Sequence, residues 1–168
     1  MSLYSFYIFD RHSTSPFLPI HVQMRTLTTL PAECIYTKTF PSHTKAPQSR
    51  SSSDSTKLIF GTIFSLRRMA TQLGGPQDQF LSYRTGEYKL HYFETPTQLK
   101  FVLLTDPRTG NMRTVLHQIW ATLYVEYVVK SPLSPAEHPG GVGVANELFE
   151  GGLEKFMVSF SGVEGEED

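Results

Sequence analysis

The chain has 168 residues, a formal net charge of −1 and a pI near 6.6. That is room for one ordinary domain, with no general electrostatic reason to bind nucleic acid. Hydrophobic residues make up 39% and aromatic residues 12%, which is enough for a packed core and excludes a wholly disordered chain. The single cysteine, Cys34, excludes an internal disulfide framework and a four-cysteine zinc site. A small domain without disulfides fits a reducing compartment. The apolar runs are too short to span a bilayer, and MSLYSFYIFDRH lacks the basic and hydrophobic regions of a signal peptide.

In chain order, Tyr4 to Asp10 (YSFYIFD) is aromatic and β-branched and stops at Asp10-Arg11-His12, which predicts a strand. Cys34 to Phe40 predicts a second. Between them, Ser13 to Glu33 carries three prolines and no sustained period, so it reads as an insertion in a hairpin that needs only a few residues. It is expected to lie outside the folded unit, either as a loop or as a translated in-frame intron. Pro41 to Thr56 is serine-rich without bulky apolar residues and reads as a flexible linker.

A helix follows, capped by Asp54, Ser55 or Thr56. Ile59, Thr62/Ile63, Leu66, Met69/Ala70 and Leu73 form its apolar stripe, and Gly74-Gly75-Pro76 stops it. Phe60 and Phe64 widen the stripe, so the helix needs cover on more than one side. Gln79–Thr85, Glu87–Glu94 and Gln98–Thr105 then predict an antiparallel meander with short turns. Asn111 to Ser131 predicts the longest helix, with Val115, Ile119, Leu123 and Tyr127 in one row and Met112, Leu116, Trp120, Tyr124 and Val128 beside it. Asn146 to Phe160 predicts the last. Gly151-Gly152 costs that helix roughly 1 kcal/mol per glycine, so it must dock to survive. The tail 163–168 is acidic. The order β-β-α-β-β-β-α-α predicts an α+β fold: a five-stranded antiparallel sheet with one helix on one face and two on the other.

No catalytic or cofactor set emerges. The histidines (12, 21, 43, 91, 117 and 138) never recur at i, i+4 on one helix, so zinc-ligand spacing is missing. Cys34, His91, His117 and the acidic tail are the candidates for a hidden site; Cys34 reads better as a small buried hydrophobe and the histidines as core or surface residues. Pro139-Gly140-Gly141-Val142-Gly143 has neither a feeding strand nor a following Lys-Ser/Thr, so it is no phosphate loop. Tyr83, Tyr88, Arg84, Lys89 and Lys100 place aromatic and basic groups on strands, but the rings are too regularly spaced to be spare for RNA. The surplus of the chain is apolar helix surface, which points to an assembly subunit with no catalysis of its own.

Several segments together resemble one family: YSFYIFDRH, FGTIFSLR, YKLHYFETPT with LKFVLLTD, and VLHQIWATLYVEYVVKSPLSP. They are similar to the TRAPP subunit 1 family, small longin-like (sedlin-like) core subunits of a membrane-tethering complex. The resemblance implies a non-catalytic role in ER-to-Golgi vesicle transport. Other core subunits, a second longin-like one and an acylated α/β one, are the implied partners. The assembled platform would promote nucleotide exchange on a Rab-family GTPase by drawing its switch regions from the nucleotide. The implied location is cytoplasmic, peripheral at ER and cis-Golgi membranes through the complex only. An adaptor small subunit or SNARE-like longin domain, or an enzyme with an unrecognised site, are the rival readings. Partner contacts are expected on the first helix and the neighbouring sheet edge. Phe60 and Phe64 serve there as anchors, Phe80 and Tyr83 lie on the edge, and Lys57, Arg67 and Arg68 face the GTPase. Departures from the family pattern are Ser13–Glu33, the long linker, and the glycine pairs of the C-terminal part.

Overall fold

The computed structural model describes residues 2–10, 34–40, 52–75, 79–132 and 143–162. The insertion 13–33, the stretch 41–51 of the expected linker and the acidic tail 163–168 lie outside the described residues. Five strands form: β1 (Leu3–Phe9), β2 (Cys34–Thr39), β3 (Ser82–Arg84), β4 (Lys89–Glu94) and β5 (Lys100–Thr105). Every neighbouring pair is antiparallel, in the order β2-β1-β5-β4-β3. The chain therefore puts β5, its last strand, at the centre of the sheet, beside β1, its first.

Alternation along the strands sends side chains to two separate cores. Tyr7 and Phe9 of β1, Leu90 and Tyr92 of β4 and Val102 of β5 face one side, where Phe60 and Ile63 of α1 (Ser52–Gly74) cover them. Phe6, Ile8, Phe93, Phe101 and Leu103 face the other. That side is covered by α2 (Arg113–Gln118), a π-helical continuation over Ile119–Val129, and α3 (Glu147–Gly162). Each fully buried ring among these adds on the order of 2 kcal/mol. The fold is the expected α+β sandwich, one helix against two.

Several boundaries differ from expectation. α1 begins at Ser52, so the expected linker ends five residues early; a first turn needs no apolar spacing, and Asp54 within it complements the helix dipole. β3 is confined to Ser82–Arg84 because the chain at Gln79–Phe80 leaves β4. The last bond there runs from the Tyr92 N–H to the Leu81 carbonyl, 3.0 Å. β5 starts at Lys100 because Gln98 takes a left-handed φ of 66° in the preceding turn.

The long helix differs most. Asn111 accepts the Arg113 N–H at 3.0 Å, but Met112 occupies the cap position. Beyond Gln118 the rungs lengthen, and the Lys130 N–H reaches the Val125 carbonyl five residues back. The wider turn moves the buried row from Leu123 and Tyr127 to Tyr124 and Val128, in line with Val115 and Ile119. Leu123 and Tyr127 are only partly buried. Among the described residues no helix is long and apolar enough to cross a membrane.

Candidate partner surface

With 23 residues, α1 is about 35 Å long, whereas the six-residue strands beneath it reach about 20 Å. Only its middle can lie on the sheet. Phe60 sits there, 9% exposed, its ring 5.3 Å from that of Phe9. The ring of Phe60, expected as a partner anchor, fills the domain's own core. Phe64 is half-buried and stacks on Phe60 at 6.5 Å.

Met69 and Leu73, expected on the core stripe, are 54% and 83% exposed. With Leu58, 50% exposed, and Thr62 they recur at i, i+4, i+11 and i+15, which the helical period gathers on one face. That face lies opposite the one carrying Phe60 and Ile63. Sequence reasoning missed it because apolar residues inward and outward on one helix merge into a single broad stripe. The discriminating signal was the length of the helix against the strands. Leu81 and Tyr83, 43% and 38% exposed, add apolar surface on and beside the β3 edge strand. Phe80 is half-buried, 5.6 Å from Tyr92.

The basic residues divide as well. Lys57 and Arg68 are exposed on α1. Arg67 instead turns to the end of β4 and pairs with Glu94 at 3.0 Å. Half-exposed on one side, that pair is worth only a few tenths of a kcal/mol, but it fixes where the guanidinium points.

Residues 3–160 match the Sybindin-like family. The chain belongs to that family. It is 38% identical to the transport protein particle subunit bet5 of Schizosaccharomyces pombe, an alignment covering 96% of this chain and 99% of the relative. It is 45% identical to the trafficking protein particle complex subunit 1 of Rattus norvegicus over 61% of this chain and 70% of the relative. The corresponding subunit BET5 of Saccharomyces cerevisiae is 33% identical, over 80% and 77%.

Among the described residues, the cysteine and the two histidines of this Sybindin-like domain all make packing contacts. Cys34 is half-buried at the edge of the α1-side core, and burial pushes its thiol up to about 11. A thiol held there is protonated at neutral pH and a poor nucleophile. His91 is 1% exposed, its Nε2 2.9 Å from the Thr105 hydroxyl, and burial lowers its pKa to about 4. His117 packs edge-on to Phe93 and Trp120 at 5.5 and 5.4 Å. Histidines 12, 21, 43 and 138 lie outside the described residues. Among the described residues no three His, Cys, Asp or Glu side chains converge as a metal site.

Proposed function

We propose that this chain is a non-catalytic core subunit of a TRAPP-type tethering complex, using the outward stripe of α1 and the β3 edge to hold neighbouring subunits. The observation that carries this is the apolar face of Leu58, Met69 and Leu73, turned away from a sheet already covered by Phe60 and Ile63. The relatives' names as subunits of the transport protein particle support it. In this reading the assembled platform promotes nucleotide exchange on a Rab-family GTPase at ER and cis-Golgi membranes. The exposed cations Lys57 and Arg68 steer that encounter, a task to which rim charges are suited. The acylated and second longin-like subunits are the neighbours this reading requires.

The test is co-expression with the other subunits. Met69→Asp with Leu73→Asp, both exposed in the isolated chain, should abolish co-purification while leaving circular dichroism and the melting temperature of the isolated chain unchanged. Retained co-purification would move the interface elsewhere. Arg68→Glu should slow exchange by the intact assembly, with the loss fading as salt rises. A rate equal to the unaltered assembly at low salt would remove Arg68 from the encounter surface.

A further inference from the structure

A cleft of about 450 Å³ straddles the edge of the sheet where β3 ends. Because β3 covers only the first half of β4, the second half has no full neighbour. The bonding alternation is clear: Thr95 donates inward to Leu99 and Tyr92 donates outward to Leu81. Glu94, two residues beyond Tyr92, therefore also turns its N–H and carbonyl outward, where Gln79 and Phe80 make no backbone bond to β4 among the described residues. An edge peptide group in an open cleft is a template for one more strand.

The walls come from both faces of the sheet. Arg67 and Thr71 of α1 close one side, and Arg113, His117 and Trp120 of the opposite helix close the other. A strand inserted along Glu94 would send successive side chains alternately to these two walls. The α1 wall is neutralised, since Arg67 already pairs with Glu94. The other wall is not. The Arg113 guanidinium donates to the neutral side-chain carbonyl of Gln79 at 3.1 Å and meets no carboxylate among the described residues. Beside it His117 packs edge-on to Phe93 and Trp120, whose rings meet at a tilt.

We infer that this cleft binds an extended peptide segment of a partner, added as a short strand against Glu94, with an acidic side chain that takes Arg113 from Gln79 and an apolar residue two positions away against the aromatic rings of the same wall. The charge decides the class of partner. An amide-bound arginine exchanges a neutral hydrogen bond for a charge-assisted, bidentate one, while a basic segment would meet Arg113 unscreened. The backbone bonds supply affinity without sequence demand, and the two walls supply the choice. This site is separate from the outward stripe of α1, so its test needs no other subunit.

The probe is a capped synthetic pentapeptide, Val-Thr-Glu-Thr-Val, titrated into the isotopically labelled full chain, with amide and indole resonances followed by NMR. Binding should shift the Glu94 and Gln79 amides and the Trp120 indole. The peptide with Gln in place of its Glu should bind about five-fold or more weakly. Arg113→Gln should bring the two peptides to the same affinity without altering the melting temperature, because Arg113 is exposed. Proline in place of the residue facing Glu94 should remove binding, since it cannot donate the strand bond. The inference is overturned if no shift reaches Glu94 at about 2 mM peptide, if both peptides bind alike to the unaltered chain, or if the proline peptide binds as well. It is overturned too if inorganic phosphate at equal concentration gives the same shifts and displaces the peptide. That result would make the cleft a simple anion site.

Discussion

His91 is a buried group with a pH liability on the acid side. Its imidazole faces the α2 side of β4 with Nε2 beside Thr105, while Nδ1 meets no hydrogen-bond partner among the described residues. Desolvation first, and the positive charge of Lys89 second, lower its pKa from 6.5 to about 4. Above pH 6.5 the imidazole is neutral folded and unfolded, so it adds no pH dependence. Between 6.5 and 4 the unfolded chain takes up a proton that the folded chain refuses. Stability should then fall by roughly 1.4 kcal/mol per pH unit, about 3 kcal/mol over the window. Urea midpoints at pH 7 and pH 4.5 measure it. His91→Gln can keep a bond to Thr105 without titrating, so the gap between its two midpoints should be clearly smaller. An equal gap in both chains would assign acid sensitivity to other groups.

At the scale of elements, α3 and the π-helical segment explain one another. Asn146 stands at the start of α3, where its side-chain oxygen accepts the N–H groups of Leu148 and Phe149 at 2.9 and 3.3 Å. Its amide donates to the Tyr127 carbonyl, one of the groups a helix end leaves unmatched. One residue thus caps α3 and ties it to the end of the preceding helix. Farther along, a Cβ on Gly152 would lie 3.0 Å from Leu123 Cδ2, while one on Gly151 would meet nothing within 4 Å. The two glycines that look alike in sequence differ: Gly152 permits close helix contact, and Gly151 only weakens the helix. Gly151→Ala should therefore raise unfolding stability by up to about 1 kcal/mol. Gly152→Ala should fall short of that gain, because Leu123 must give way. Denaturant midpoints of the two variants decide the point, and an equal gain would mean that the contact has room to spare.

At the scale of the molecule, β1 and β2 pair directly with each other. Phe9 pairs with Cys34 and Ile8 with Tyr36 across the ladder, with a register shift between them. We propose that a short turn can take the place of residues 13–33, since shortening a loop of this length changes its closure entropy by only about 1.5 kcal/mol. Deleting residues 13–33 with a two-residue Asn-Gly link should leave cooperative unfolding intact, with the melting temperature unchanged or slightly raised, and should leave subunit co-purification unaffected. Loss of the cooperative transition would show that Phe17, Leu18, Ile20 and Val22 pack into the domain. Transcript sequencing then separates a retained intron from a true loop.

The sequence by itself determined the element order, the antiparallel sheet and its division into two faces. The alternation of Phe6 and Ile8 against Tyr7 and Phe9, and the spacing of turns around Gly86, Pro96 and Gly110, are local signals, and local sterics act on them directly. The motifs around Tyr88–Thr97 and Val115–Pro135 were enough to indicate the family. Tertiary structure alone decided which face of each helix is inside. Met69 and Leu73 are as apolar as Ile63, yet they project from a helix that outruns its sheet, and Phe60 is claimed by Phe9. It also decided the row within the long helix, since the step from four to five residues per rung depends on hydrogen bonds that the apolar pattern does not encode. The cleft at Glu94 was invisible for the same reason. Its walls, Arg67 and Arg113, stand 46 positions apart and meet only where a strand of three residues stops short of its neighbour's end.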